Sequence, residues 1–166
     1  MEKNIAAIRQ TYSQKELLEK DVAPHPIHQF EQWWNDAVNA EISEVNAMTL
    51  ATATADGMPS ARIVLLKDFS EQGFSFFTNY DSYKGRQLAE NPKACLVFFW
   101  KELERQTRIT GLVQQLPATD SDVYFYSRPI ESQAGAITSP QSRVIESREW
   151  LHHQYQSISE QVKKSG

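Results

Sequence analysis

The stretch RIVLLKDFSEQGFSFFTN, residues 62–79, decides the fold because apolar side chains lie on both sides of a short polar turn. We predict two antiparallel strands from it. Arg62 and Lys67 flank the first apolar run, and since burying an unpaired charge is costly, they indicate a bound anion. Protection of an exposed sheet edge is the alternative. The two cations are five positions apart, so a twist, a bulge or a strand end must bring both to one ligand.

Composition bounds the class of protein. The chain has 166 residues, 40% of them hydrophobic, which predicts one ordinary globular domain. A net charge of −4 argues against nucleic acid as the main partner. We predict a cytoplasmic protein, because no stretch approaches the roughly 20 apolar residues of a membrane span and residues 1–10 lack the apolar core of a signal peptide. Cys95 is the one cysteine and is expected to be an inert, buried thiol.

Hydrophobic periodicity predicts a mainly β, α+β fold with flanking helices. A helical part is expected over 1–42, where Ile27, Phe30, Trp34 and Val38 are spaced as one apolar face. Barrel strands are expected over about 46–117, beginning with a hairpin at Asp56-Gly57 and interrupted by a helix between Ser82 and Asn91. A second helical part is expected over 118–164. Five or more strands with one short helix favour a closed or nearly closed antiparallel barrel.

Several kinds of catalytic site are absent from the pattern. The sequence has neither an HExxH motif nor paired cysteines, so we predict no metal site from its histidines, which are His25, His28, His152 and His153. No GxSxG motif indicates a serine nucleophile. No glycine-rich loop of the dinucleotide or P-loop type occurs.

Two further places suit phosphate. Lys84 follows the predicted helix cap Ser82, where free N–H groups and the helix dipole add to its charge. Tyr124 and Arg128 are four apart in a predicted helix and would set an aromatic ring beside a guanidinium group. Such a pair suits a phosphorylated ring compound. For each cation taken alone, a solvated surface charge is the alternative.

Six motifs, in this order and spacing, closely resemble the pyridoxamine 5'-phosphate oxidase family. They are RIVLLK (62–67), FFTNYDSYKG (76–85), LERQTRITG (103–111), YFYSRP (124–129), SQAGA (132–136) and PQSRVIESREWL (140–151). The resemblance runs from about Ile5 to about Ser159. Each motif is weak alone, and the collinear set is specific.

The resemblance implies an FMN-binding split β-barrel, a homodimer with FMN at the interface. It also implies oxidation of pyridoxamine or pyridoxine 5'-phosphate to pyridoxal 5'-phosphate, with oxygen as acceptor and hydrogen peroxide as product. The FMN-binding positions carried over by motif are Arg62, Ile63, Val64, Leu65, Leu66, Lys67, Phe77, Thr78, Tyr83, Lys84, Gln106, Gln141 and Ser142. The substrate-binding positions are Lys67, Tyr124, Arg128 and Ser132. The flavin carries the redox chemistry, so no catalytic residue is assigned in this chain.

The chain departs from the family pattern in four ways. Tyr83, Ile137 and Arg143 stand where many relatives have Arg, Trp and Ser. The sequence ends at SEQVKKSG, whereas the family continues through a WGG segment and an EFWQG…RLHDR segment that complete the barrel. We therefore expect weak flavin binding and little turnover if the chain stops there. The alternatives are another split-barrel flavoprotein, such as a flavin reductase, and a catalytically silent protein that binds FMN or pyridoxal phosphate.

Overall fold

The computed structural model describes residue 7 and residues 16–165. Two antiparallel sheets contain the strands β1 (Ala47–Ala53), β2 (Pro59–Leu65), β3 (Asp68–Ser70), β4 (Gly73–Ser75), β5 (Lys93–Trp100) and β6 (Arg105–Leu112). The helices are α1 (Pro26–Asn39), α2 (Tyr83–Glu90), α3 (Ala118–Ser127), α4 (Ile130–Thr138) and α5 (Arg148–Ser165). Short 3-10 turns occur at Glu19–Asp21 and Lys101–Leu103. Most of the predicted N-terminal helical part before α1 lies outside the described residues.

The larger sheet has four strands in the order β2-β1-β5-β6, and β3 and β4 form a second, two-stranded sheet. The predicted hairpin is confirmed, since β1 and β2 pair antiparallel from Ala47 opposite Leu65 to Ala53 opposite Pro59. Gly57 has a φ of 92° in the connecting turn, a conformation that a residue without Cβ adopts at little cost. None of the described helices is long and apolar enough to cross a membrane.

The stretch 62–79 holds parts of three strands, which corrects the prediction of two. β2 ends at Leu65, and β3 and β4 then pair across a tight turn. The backbone N–H of Leu66 still donates to Asn46 O at 2.8 Å, whereas that of Lys67 donates to Ser75 O at 2.8 Å. The chain thus passes from one sheet to the other between these residues. Because Lys67 lies beyond this corner, the alternation of β2 does not fix the face on which its side chain lies.

Aromatic side chains from α1 and both sheets form the core. Phe30 of α1 is 3% exposed, and its ring lies 4.9–5.0 Å from those of Phe69, Phe74 and Phe98. The predicted apolar face of α1 is only partly confirmed. Val38 is 46% exposed, while Ala37 is fully buried. At about 100° per residue, Ala37 lies nearer to the direction of Phe30 than Val38 does.

The helix between the strands begins and ends where the sequence predicts. Ser82 is buried and its hydroxyl accepts a hydrogen bond from the Gly85 N–H at 3.2 Å, which caps α2. Asn91 ends the helix, and its side-chain amide donates to Ala53 O at 3.2 Å. The contact of Asn91 fixes the end of α2 to β1 of the larger sheet.

Gly85→Ala is expected to destabilise the protein, although alanine is the better helix former. A Cβ at this position would lie 2.1 Å from the backbone oxygen of Tyr80, which cannot move aside as a flexible side chain would. We expect a loss of about 1–3 kcal/mol in the free energy of unfolding, the usual cost of overpacking. Denaturant unfolding measures it, with Ala89→Gly as the control for helix propensity. Increased stability of Gly85→Ala would show that the close approach is absent.

Candidate functional site

A wide cleft opens between the corner of β2, the small sheet and helices α2, α3 and α4. Its volume is about 1740 Å³. Ligand pockets usually measure about 300–1,000 Å³, so this cleft has room for more than one ring system. Eleven of the predicted site residues line it, namely Ile63, Val64, Leu65, Lys67, Phe77, Thr78, Lys84, Tyr124, Arg128, Ser132 and Gln141.

Lys84 and Gln141 meet at one end of this cleft. The Lys84 ammonium, in the first turn of α2, donates to Gln141 Oε1 at 2.8 Å, although the two residues are 57 positions apart in sequence. Burial, and to a smaller extent the charge of nearby Arg62, lower the pKa of Lys84 below its ordinary value. An anion bound here would relieve that repulsion.

Arg62 does not line the cleft, but it is near enough to Lys84 for the two charges to repel. Its guanidinium donates to Leu50 O at 3.1 Å, Thr52 Oγ1 at 2.6 Å, Ser60 Oγ at 2.8 Å and Gln87 Oε1 at 3.3 Å. All four acceptors are neutral. Burial lowers the pKa of Arg62, and the neighbouring Tyr83 raises it by less. The charge of Arg62 is therefore held in place without being cancelled by these partners.

Lys67 and Tyr124 also line the cleft and lie close to each other. The rings of Tyr124 and Phe77 stack with centroids 3.8 Å apart and planes 4° apart, and the Lys67 ammonium lies 5.5 Å from the Tyr124 ring. The sequence predicted Arg128 to lie in the same helix as Tyr124, and this prediction was wrong, because α3 ends at Ser127. Arg128 follows α3 as an extended residue, and its carbonyl accepts from Gln133 Nε2 at 2.8 Å.

Five predicted positions do not line the cleft. Leu66 is in the core, Arg62 is in the network described above, and Tyr83 is an exposed residue at the start of α2. Gln106 is exposed on the outer face of β6, opposite Phe99 of β5. Ser142 lies in the loop after α4 with a φ of 66°.

The other departures from the family pattern have defined places. Ile137 lines the cleft with 53% of its surface exposed. Arg143 lies 3.7 Å from Asp81, the residue before the cap of α2. This contact joins the later loop to the same helix end that Lys84 and Gln141 join.

The described structure also brings two histidines and a carboxylate together, away from the cleft. Ligand atoms of His25, His28 and Glu71 lie within 4.8 Å of one another, and all three side chains are exposed. His25 Nδ1 accepts from the Ile27 N–H at 3.3 Å, and His28 Nε2 lies 3.7 Å from Glu71. Helix capping by His25 and a surface contact between His28 and Glu71 account for this arrangement.

Sequence reasoning missed two buried glutamines. Gln87 is 2% exposed and its amide oxygen accepts from the hydroxyls of Thr52 at 2.7 Å and Ser60 at 2.8 Å. Gln133, 7% exposed, positions the backbone at Arg128. The only sequence signal is weak, because a glutamine in a polar helix usually faces solvent.

The antiparallel sheets with their flanking helices, together with the matches given next, place the protein in the FMN-binding split-barrel class. Residues 34–161 match the pyridoxamine 5'-phosphate oxidase family. The chain belongs to this family of oxidases. A pyridoxine/pyridoxamine 5'-phosphate oxidase of Nostoc sp. strain PCC 7120 is 54% identical over 158 residues, which are 95% of this chain and 74% of that protein. One of Thermosynechococcus vestitus is 59% identical over 143 residues, 86% of this chain and 68% of that protein.

Solved structures agree with the fold. PhzG from Burkholderia lata, in complex with tetrahydrophenazine-1-carboxylic acid, superposes with a TM-score of 0.84 at 28% identity. The match covers 90% of this chain and 75% of that one. A pyridoxamine 5'-phosphate oxidase-related, FMN-binding protein from Nostoc punctiforme has a TM-score of 0.59 at 15% identity, covering 79% of this chain and 73% of that one. This second match concerns the fold alone.

Proposed function

We propose that the protein binds FMN in the cleft and oxidises pyridoxamine or pyridoxine 5'-phosphate to pyridoxal 5'-phosphate. Oxygen would be the electron acceptor and hydrogen peroxide the second product. The observation that carries the proposal is that the lining of one cleft includes three cations, Lys67, Lys84 and Arg128, which is enough for two phosphates. We assign Lys84 and Gln141, which are in contact, to the first phosphate group, and Lys67, Arg128 and Ser132 to the second. Each suits one phosphorylated ring compound.

The residues present fit the cofactor. The Thr78 hydroxyl oxygen is buried and has no hydrogen-bond partner among the described residues, although Thr78 lines the cleft. A buried hydroxyl without a partner costs about 1–3 kcal/mol, which a ligand with several acceptors would recover. The first turn of α2 adds backbone N–H groups and a partial positive charge beside Lys84. Lys84, Thr78 and Gln141 would hold the flavin phosphate and its adjoining atoms.

When bound, FMN supplies a two-electron acceptor that oxygen regenerates. The chain's own residues bind and orient the substrate. Arg128 and Lys67 offer charge-assisted hydrogen bonds to its phosphate, and Ser132 offers a hydroxyl. Tyr124 offers an aromatic ring, one face of which stacks on the Phe77 ring in this structure. Holding the phosphate fixes the position of the pyridine ring relative to the flavin, and such positioning is a large part of catalysis.

A second copy of the chain is the partner that the outer sheet face suits. Ile63 is 64% exposed, Leu65 40% and Phe99 63%, and the two β2 residues also border the cleft. Gln106, a predicted FMN contact, is exposed on the outer face as well. A homodimer that covers this face would bury the apolar side chains and bring Gln106 to a shared site. We propose this dimer as the cytoplasmic form of the enzyme.

The experiment that tests the function has two readouts. FMN fluorescence is titrated with the purified protein, and peroxide release is then measured after pyridoxamine 5'-phosphate is added. We expect saturable FMN binding followed by peroxide formation that requires both compounds. Bound FMN without peroxide would instead favour the silent binder, and no FMN binding would contradict the proposal.

A second candidate substrate follows from the fold match to PhzG. Its complex holds a fused-ring carboxylic acid, which has no phosphate. The second cationic group of the cleft favours the phosphorylated pyridine for this chain. Peroxide release with tetrahydrophenazine-1-carboxylic acid but not with pyridoxamine 5'-phosphate would reverse this preference.

FMN affinity is expected to fall at alkaline pH, and the fall should begin at a lower pH than it would for a lysine with the ordinary pKa. The charged form of Lys84 binds the phosphate, and burial and Arg62 hold its pKa below the ordinary value. Affinity is therefore full below the lowered pKa and is lost as pH rises through it. FMN titrations from about pH 7 to pH 10 span the range below the ordinary lysine pKa of about 10.4. Lys84→Arg is the control, because arginine stays charged over this whole range. Its FMN affinity should not fall as the pH rises.

A further inference from the structure

We infer that Gln87 is a positioning residue for the flavin phosphate, because it holds the charged Arg62 side chain in place near Lys84. The inference rests on the proposed binding of FMN. Gln87 lies one turn after Lys84 in α2, on the buried side of the helix. It does not line the cleft and is not among the positions that the family motifs supply.

The hydrogen bonds around Gln87 have one allowed direction. A guanidinium can only donate, so the hydroxyls of Thr52 and Ser60 accept from Arg62 at 2.6 and 2.8 Å. Each hydroxyl then donates its own hydrogen to Gln87 Oε1, at 2.7 and 2.8 Å. The amide oxygen therefore orients both hydroxyls with their lone pairs toward Arg62. Without that acceptor, the two hydroxyls could turn their hydrogens toward the guanidinium, which would then keep only its bond to Leu50 O at 3.1 Å.

A neutral acceptor matters here as much as the geometry does. Gln87 Oε1 also lies 3.3 Å from the Arg62 guanidinium, at the position where a carboxylate would form an ion pair. An amide satisfies the N–H groups and leaves the positive charge of Arg62 uncancelled. The charge of Arg62 reaches Lys84, because it contributes to the lowered pKa of that lysine. Two such cations near a helix N-terminus attract a phosphate more strongly than one.

The Gln87 amide nitrogen is the second observation that points to a ligand. Gln87 Nε2 is buried and has no hydrogen-bond partner among the described residues. The side chain is only 2% exposed, so solvent does not satisfy this donor in the described structure. A buried amide donor without an acceptor is unfavourable unless a ligand or an ordered water provides one. Because Gln87 does not line the cleft, an ordered water between this nitrogen and an anion at the start of α2 would provide it.

The test compares FMN with riboflavin, which lacks the phosphate. Gln87→Glu keeps the acceptor and adds a carboxylate beside Arg62. We expect FMN affinity to fall by roughly tenfold to a hundredfold, the effect of losing one charge-assisted contact, while riboflavin affinity changes less than about threefold. Gln32→Glu makes the same charge change on the exposed face of α1 and should leave both affinities unchanged.

Gln87→Met, which has similar volume and no acceptor, provides a second measurement. We expect it to lower the preference for FMN over riboflavin as well. Here the cause would be the lost orientation of the Thr52 and Ser60 hydroxyls, whereas in Gln87→Glu it is the added negative charge beside Arg62. An equal loss of affinity for both flavins would overturn the inference, since it would assign Gln87 to stability alone, and failure of both variants to fold would do the same. If the wild-type protein does not prefer FMN over riboflavin, the proposed function fails and not merely this role of Gln87.

Discussion

Phe30→Ala is expected to lower the free energy of unfolding by about 3–5 kcal/mol, the range for truncating a buried phenylalanine. Phe30 is 3% exposed and contacts aromatic rings from both sheets, among them Phe69 of β3 and Phe98 of β5. No neighbouring element can fill the cavity without leaving its own contacts. Chemical denaturation measures the loss, and thermal unfolding should show a fall on the order of 10 °C for a chain of this size.

Val38→Ala is the matched control for this prediction. Val38 lies on the same helix and is 46% exposed. We expect a change within about 0.5 kcal/mol, as for most surface substitutions. A Phe30→Ala variant as stable as Val38→Ala would contradict the aromatic core, and with it the packing of α1 between the two sheets.

Arg128→Ala is expected to raise the KM for pyridoxamine 5'-phosphate by roughly tenfold to a hundredfold, with a smaller change in kcat. A hydrogen bond to a charged group contributes about 1.5–3 kcal/mol, and each 1.4 kcal/mol is a factor of ten. Arg128 lines the cleft, and Gln133 fixes its backbone carbonyl, so the proposed function would have its guanidinium bind the substrate phosphate there. Steady-state kinetics by peroxide release provide the measurement.

Two further variants serve as controls for the Arg128→Ala result. Arg148→Ala removes an exposed arginine at the start of α5 that does not line the cleft, and it should leave KM unchanged. Arg128→Lys keeps the charge without the guanidinium fork and should give an intermediate KM. An unchanged KM for Arg128→Ala would remove this residue from the substrate site and leave Lys67 as the cation to test.

The six collinear motifs predicted the family, and the matched residues 34–161 confirm it. Local pattern was sufficient for the elements whose signal is local. The Asp56-Gly57 hairpin and the Ser82 cap of α2 both lie where turn and cap chemistry place them. The roles assigned to single site residues remain predictions. The structure shows which of these residues line the same cleft.

Other features could not be derived from local pattern, because they depend on contacts between distant residues. The corner between Leu66 and Lys67 exists because one N–H pairs with Asn46 and the next with Ser75. The hydrogen bond from Lys84 to Gln141 joins residues 57 positions apart. Hydrophobic periodicity and motif spacing do not reveal such long-range pairings. The prediction of two strands in residues 62–79 was therefore wrong, since the stretch holds parts of three.

The sequence by itself determined the class of elements, their order and the family, since hydrophobic period, turn residues and motif order are properties of neighbouring positions. Only the tertiary structure decided where each cation lies. It placed Lys67 and Lys84 on the cleft, and it placed Arg62 off the cleft among four neutral oxygens, one of them from Gln87. The physical reason is that a charge acts through distance and surroundings, and folding alone sets both.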